Sequence, residues 1–297
     1  MSPIVLQTPP DGSRSRAEVH PLEVLDASDR KSLRRRRYLQ AVLERRERRA
    51  AADAPHDVGR ALQRLSTVSG ALRPGLRVLD LGCGLGDWSL SLARKGFDCH
   101  AIDRNPDFVR VGQDLARRDG VEVRFAAGLA EQLPYLDSSF DLLVANFVLE
   151  HVVHWRHTLL EAARVLKPSG MLFVSTANIL CPFQDEVRFF PFFPYLPGRV
   201  KRMFLRSIVD KCPALVNHSL TPAQNWFTPS GLRRYLRGIG FSACHDLIDV
   251  ITQDQVPKRY PIAGRLLPWF KRWPPSARNL LYILTPSIAL YAVRNPQ

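Results

Sequence analysis

Long apolar runs are missing from this chain of 297 residues. Nothing approaches the roughly 20 consecutive apolar residues that a membrane-spanning helix needs. Residues 1–10 also lack the basic start and apolar core of a secretory leader. The expected location is therefore the cytoplasm. Cysteine is scarce: Cys83, Cys99, Cys181, Cys212 and Cys244 stand far apart, with no Cys-x-x-Cys spacing. That excludes the usual zinc-ribbon and dithiol patterns and points to free thiols in a reducing compartment. Acids are the third shortage, 28 Asp plus Glu against 42 Lys plus Arg, for a net charge of +14.

The excess is concentrated. Residues 29–49 hold ten basic and three acidic residues, a local charge of +7. Such a stripe favours an anionic partner, with a plain solvated helix as the alternative. Residues 1–27 are rich in Pro, Ser and Asp without periodicity and read as an arm. Residues 29–50 read as a basic helix with a weak apolar face formed by Leu33, Tyr38, Leu39, Val42 and Leu43. The expected division is an N-terminal arm and basic helix over residues 1–57 and one α/β domain over 58–297.

Within 58–297, a helix is expected over Val58–Ala71, ended by Pro74-Gly75. Strands are expected at Arg77–Leu81, Asp98–Asp103, Val121–Ala126, Phe140–Asn146, Met171–Thr176, Phe241–Val250 and Ser287–Arg294. Helical stretches near Trp88–Lys95, Pro106–Arg118 and Trp155–Leu166 lie between strands of the first five, and Lys167–Gly170 reads as a sharp turn. Strands alternating with helices of this length imply right-handed crossovers and a mostly parallel sheet. Residues 181–225 break the rhythm with clustered Pro, Phe and basic residues and read as an insertion. A Thr228-capped helix follows, closed by Gly238 and Gly240. Residues 252–285 form a second apolar and basic insertion, including Leu266, Leu267, Trp269, Phe270, Lys271, Arg272 and Trp273.

The chemistry is signalled at Asp80-Leu81-Gly82-Cys83-Gly84-Leu85-Gly86, between a strand and a helix. Alternate glycines let the backbone turn tightly and approach a ligand beyond the carboxyl ends of the strands. The spacing is G-x-G-x-G, and Asp87 occupies the next position. The dinucleotide fingerprint has a different third spacing, and Asp80 and Asp87 would repel a pyrophosphate. A ligand with a cationic centre, such as S-adenosylmethionine, tolerates them. Asp103 ends the next strand, about 20 residues after the loop, where an acid accepts hydrogen bonds from ribose hydroxyls. Its structural alternative is a cap for the helix beginning at Pro106.

The segments VLDLGCGLGDWS, HAIDRNP, AEQLPYLDSSFDLLVANFVLEHV and LKPSGMLFVSTAN occur in that order. They resemble the consecutive motifs of class I methyltransferases, and are most similar to the group containing ubiquinone-type O-methyltransferases. The resemblance runs from about Leu76 to Asn178, and more loosely to Arg294. It implies a Rossmann-like sheet of about seven strands, mostly parallel with the last antiparallel and helices on both faces. It also implies S-adenosylmethionine as cofactor. Asp80 and the backbone of Gly82, Cys83, Gly84 and Gly86 would meet its methionine part. Asp103 would meet the ribose, and Arg104 would lie beside the adenine. Many relatives carry Gly-Asp-Ala where this chain has Gly128-Leu129-Ala130, which leaves backbone groups of Leu129 and Ala130 to meet the adenine. Asn146 would face the same crevice.

The resemblance leaves the acceptor open, and the residues narrow it. His151, past the fourth strand, is the candidate base, with a structural role as the alternative; an imidazole suits proton removal near neutral pH. His154 and His157 read as surface residues. No metal is expected, although Glu150, His151 and His154 are close in sequence. The corner reads Asn146-Phe147-Val148-Leu149. It has neither the Pro-Pro-aromatic pattern of nucleic-acid amino methyltransferases nor a Pro-Cys nucleophile, so nucleic acid is not the expected acceptor. Aromatic residues beside Lys and Arg in both insertions suit an anionic membrane surface. The reading is a methyltransferase, O-directed, acting on a small or lipid-linked acceptor, at most peripheral to the inner face of the membrane. Alternatives are an RNA or protein methyltransferase using the basic helix, or a methyltransferase-like partner protein without turnover.

Overall fold

In the computed structural model, residues 39–40, 43–44, 58–70, 72–183, 190, 192–211, 223–256 and 261–296 are described. The arm, most of the basic helix and Cys212 lie outside them. A seven-stranded sheet forms the centre, with spatial order β3-β2-β1-β4-β5-β7-β6. Its strands are β1 (Arg77–Leu81), β2 (Asp98–Asp103), β3 (Val123–Ala127), β4 (Phe140–Asn146), β5 (Leu166–Ala177), β6 (Phe241–Asp246) and β7 (Ser287–Arg294). Pairings among the first five are parallel, and β7 runs antiparallel to both β5 and β6. Val78 and Leu79 alternate to opposite faces, and both are buried because helices cover both sides. On one side, Leu79, Leu143 and Val174 pack with Leu159 and Ala162 of α4 (Trp155–Val165) and Leu236 of α6 (Pro229–Gly238). On the other, Val78, Val144 and Tyr291 pack with Leu65 of α1 (Val58–Ser69) and Leu92 of α2 (Asp87–Ala93).

Several boundaries differ from expectation, each for a local reason. The first helix ends at Ser69, two residues before the expected Ala71, because Gly70 turns left-handed at φ 88°. Gly120 does the same at the end of α3 (Pro106–Asp119), and the Val121 N–H then donates to the Ala116 carbonyl. That bond keeps Val121 out of the ladder, so β3 begins at Val123. The expected turn at Lys167–Gly170 lies inside β5 as an irregularity: Phe140 pairs with Leu166, but Leu142 pairs with Met171. Ser169 takes a left-handed φ of 60° there. Strand β6 stops at Asp246 rather than Val250. The Asp246 carboxylate accepts from the Ile248 and Asp249 N–H groups, and Asp249 accepts from the Asp246 N–H. This capping box starts a short helix, α7 (Leu247–Val250).

The segment after β5 contains a 3-10 turn (Phe193–Tyr195) and α5 (Gly198–Lys211). Phe193 and Leu205 are buried there among Phe190, Phe204 and Trp226. After α7 come α8 (Pro261–Lys271), α9 (Pro275–Arg278) and a 3-10 turn (Asn279–Tyr282). No helix among the described residues is long and apolar enough to cross a membrane.

Candidate cofactor and methyl-transfer site

The parallel registers align the carboxyl ends of four strands. Leu81 pairs with Ile102 on one side and Ala145 on the other, and Asp103 pairs with Ala127. The glycine loop, Asp103, residues 128–130 and Asn146 therefore meet along one edge. Gly82, Gly84 and Gly86 all adopt left-handed φ, at 67°, 55° and 80°. Each has a different surrounding. A Cβ on Gly82 would stand 2.5 Å from Val148 Cγ2, and one on Gly86 2.7 Å from Phe125 Cζ. Nothing lies within 4 Å of a Cβ placed on Gly84. Two glycines thus pack against protein, and the middle one borders open space where a ligand can approach the backbone.

Asp103 shapes this loop. One of its oxygens accepts from the Gly84 N–H at 2.9 Å, and the other from the Asn105 N–H at 2.8 Å. Asn105, not Asp103, caps α3, accepting from the Asp107 N–H. Burial pushes the Asp103 carboxyl above its ordinary pKa despite those two bonds and the nearby Arg104. Each oxygen still has acceptor capacity, as two vicinal hydroxyls require. Arg104 is exposed beside it.

Asp80 faces the other way along the loop. Its carboxylate accepts from the Ser89 N–H at 3.1 Å and the Ser89 hydroxyl at 2.5 Å, fastening the first turn of α2. Burial pushes its pKa up to about 7, and the carboxylates of Asp103 and Asp87 add to the rise. Three acids that repel one another at a buried loop favour a cationic ligand. Cys83 is half-buried, and burial beside Asp80 and Asp103 holds its thiol protonated. The opposite wall is set by Gly128, whose N–H donates to the Asp103 carbonyl at 2.9 Å. A Cβ on Gly128 would stand 2.7 Å from Ile102 Cδ1. Leu129 follows with its side chain 56% exposed at the rim, and Ala130 is half-buried.

Past β4, Asn146 is half-buried at the edge, and Phe147 takes a left-handed φ of 57° with a 48% exposed ring. Its N–H donates to the Ser175 carbonyl at 2.8 Å, which holds this unfavourable conformation. His151 is half-buried four residues on, in a loop tied down from outside. Asn225 Nδ2 donates to the Leu149 and Val152 carbonyls, and the buried Glu150 accepts from the Thr176 hydroxyl. His154 and His157 are exposed. Ser89, Phe125, Phe147, Val148 and Asn225 all shape the site and escape sequence reasoning. Only Phe125 left a signal: Gly112 interrupts α3, and a Cβ there would stand 2.6 Å from the Phe125 ring.

Residues 79–174 match the family model for the methyltransferase domain. The chain carries a class I S-adenosylmethionine-dependent methyltransferase domain. This domain resembles the ubiquinone biosynthesis O-methyltransferase of Azorhizobium caulinodans, 41% identical over 110 residues, 36% of this chain and 44% of that protein. A protein of the same name from Xanthomonas axonopodis pv. citri is 40% identical over 131 residues, 43% of this chain and 55% of that one. The demethylmenaquinone methyltransferase of Tropheryma whipplei is 30% identical over 168 residues, 56% of this chain and 66% of that protein. The chain spans about half the length of the first two relatives. Its fold is like that of phosphoethanolamine N-methyltransferase 2 from Haemonchus contortus, at TM-score 0.50 and 14% identity. The match covers 80% of this chain and 53% of that structure.

Proposed function

We propose that this protein transfers a methyl group from S-adenosylmethionine to a hydroxyl of a small or lipid-linked acceptor. The observation that carries the reading is the edge at Gly84: left-handed, open above its Cα, with an N–H held by Asp103. When bound, S-adenosylmethionine supplies an electrophilic methyl on a sulfonium. In the proposed arrangement the backbone of residues 82–86 and the ionised Asp80 meet its cationic methionine part. Asp103 holds the ribose, and the backbone of Leu129 and Ala130 meets the adenine. Asn146 and Phe147 border the space between donor and acceptor.

In the same reading, His151 takes the proton from the acceptor hydroxyl as the new carbon–oxygen bond forms. Its immobilised loop holds it in one orientation, which catalysis by proximity requires. The relatives' names include O-methyltransferases of ubiquinone biosynthesis, and an acceptor of that apolar type would suit the aromatic segment after β5. Phe183, Phe192 and Tyr195 form an exposed row of rings there, with Lys201 stacked over Trp226 at 3.8 Å. We read this segment as a lid that also meets the surface of an anionic membrane.

Two experiments test the reading. Labelled methyl from S-adenosylmethionine, supplied to fractionated cell extract, should enter the lipid or small-molecule fraction. Label confined to RNA or protein would contradict it. His151→Asn should lower kcat by about 10²–10⁴-fold with cofactor affinity unchanged. Unchanged kcat would remove His151 from the chemistry.

A further inference from the structure

One helix of this molecule turns apolar residues outward. In α8, Gly264 and Leu267 are buried, while Ile262, Leu266 and Trp269 are 69%, 42% and 53% exposed. Spacings of three and four residues place those three side chains on one face. Arg265 and Arg272 are exposed along the same side. Trp269 is braced rather than loose, with Phe270 and Trp273 rings at 5.2 and 4.7 Å. Beyond the helix, Leu280, Ile283 and Leu284 are also exposed.

The two stretches are tied to one another and to the site edge. Arg278 Nε donates to the Trp273 carbonyl at 2.8 Å, and its guanidinium also bonds the Lys271 carbonyl. Asn178, just past β5, donates from Nδ2 to the Tyr282 and Thr285 carbonyls at 2.8 Å. The turn that carries Leu280 and Leu284 is therefore pinned at the same carboxyl edge as Gly84 and Asn146.

Charge selects the occupant. No acidic residue follows Asp254, whereas seven Lys or Arg do. A second copy of this face would set Arg265 and Arg272 against their like. The chain's own run 29–49 carries +7, the same sign. An occupant that is apolar in depth and negative at its rim fits both features, and an anionic phospholipid surface has that profile. Trp suits the boundary between headgroups and acyl chains.

We propose that the outward stripe of α8, together with the Leu280–Leu284 turn, docks the protein on an anionic bilayer. This is a second surface, separate from the lid after β5. It rests on the proposed lipid-linked acceptor for one consequence only: docking there turns the site edge towards the membrane that holds the substrate.

The test is co-sedimentation of the full chain with phosphatidylcholine vesicles, with and without phosphatidylglycerol. Wild type should pellet with the anionic vesicles and stay in solution with the neutral ones. Arg265→Gln and Arg272→Gln should each weaken partitioning about five-fold, and the pair about 25-fold. Trp269→Glu should leave the protein in the supernatant. All three positions are exposed, and unchanged melting by circular dichroism checks the fold of each variant. If wild type pellets but the α8 variants pellet equally well, this inference is overturned. Loss in Phe192→Glu alone would then leave the lid as the membrane contact. If wild type never pellets, or pellets equally with neutral vesicles, anionic docking is overturned. Label appearing in a lipid fraction would still support the proposed acceptor in that case.

Discussion

A methyl group added at Gly82 should act mainly on stability, and one added at Gly84 mainly on cofactor affinity. At Gly82 the new Cβ meets Val148 at 2.5 Å with φ at 67°. Overpacking and left-handed strain together should cost about 2–5 kcal/mol, read as a lowered denaturant midpoint for Gly82→Ala. At Gly84 no atom is struck, so Gly84→Ala should fold with only the strain cost, about 1–2 kcal/mol. Its affinity for S-adenosylmethionine should nevertheless fall roughly ten-fold or more, equal to about 1.4 kcal/mol. Tight cofactor binding by Gly84→Ala would show that the loop does not hold the ligand there. Asp80 adds a pH dependence. Burial raises its folded pKa to about 7, above the unfolded value. Its contribution to stability is thus fully present below about pH 4 and is lost as pH rises through about 7. Asp80→Asn should flatten that slope in pH-dependent unfolding. A cationic ligand favours the ionised form, so wild-type affinity should rise with pH through the same window, and the variant's should not. The glycine spacing and both acids were legible in the sequence because backbone geometry restricts those residue types. Phe147 was not, since nothing in a phenylalanine announces a left-handed backbone.

At the scale of elements, the carboxyl end of β6 is held by ions as well as by apolar packing. Arg233 of α6 reaches Asp246 and Asp249, both at 2.7 Å, and Arg278 of α9 bonds Asp249 and stands 3.5 Å from Asp246. Burial pushes the Asp246 carboxyl up, which marks the cost of enclosing it. Removing one cation should therefore destabilise more than a surface pair would. Arg233→Met is expected to cost about 3–5 kcal/mol, measured by urea unfolding. A change below about 1 kcal/mol would mean that the pair acts as a solvated one. Residues 241–250 have a strand-like apolar pattern, but Asp246 and Asp249 close a capping box that hydropathy alone does not reveal. The opposite holds for α3, where Asn105 and Pro106 at one end and Gly120 at the other announce the helix. The ends of α3 carry residue types that punctuate helices, whereas the end of β6 is set by two carboxylates whose capping role shows only once the backbone is placed.

Across the whole molecule, one edge of the sheet collects the features that matter. The glycine loop, Asp103, Leu129, Asn146, Phe147 and the loop of His151 all stand beyond the carboxyl ends of β1, β2, β3 and β4. The aromatic segment leaves β5 at that edge, and the turn before β7 is pinned there by Asn178. Alternation of strands and helices made this architecture readable in advance, because a parallel sheet covered on both faces has few other topologies. The second insertion reads in the sequence as suited to a membrane surface, but composition does not say which of its apolar residues α8 turns outward and which, like Leu267, it buries. The methyl transfer proposed for this edge depends on its holding the methyl donor. The direct measurement is calorimetric titration of S-adenosylmethionine into wild type and Asp103→Ala, with both shown folded by circular dichroism. Wild type should bind at one site, and the variant should lose about 100-fold or more in affinity, the scale of a charge-assisted hydrogen-bond pair. Equal affinity in the two proteins, or no binding by wild type, would contradict the placement of the methyl donor at this edge.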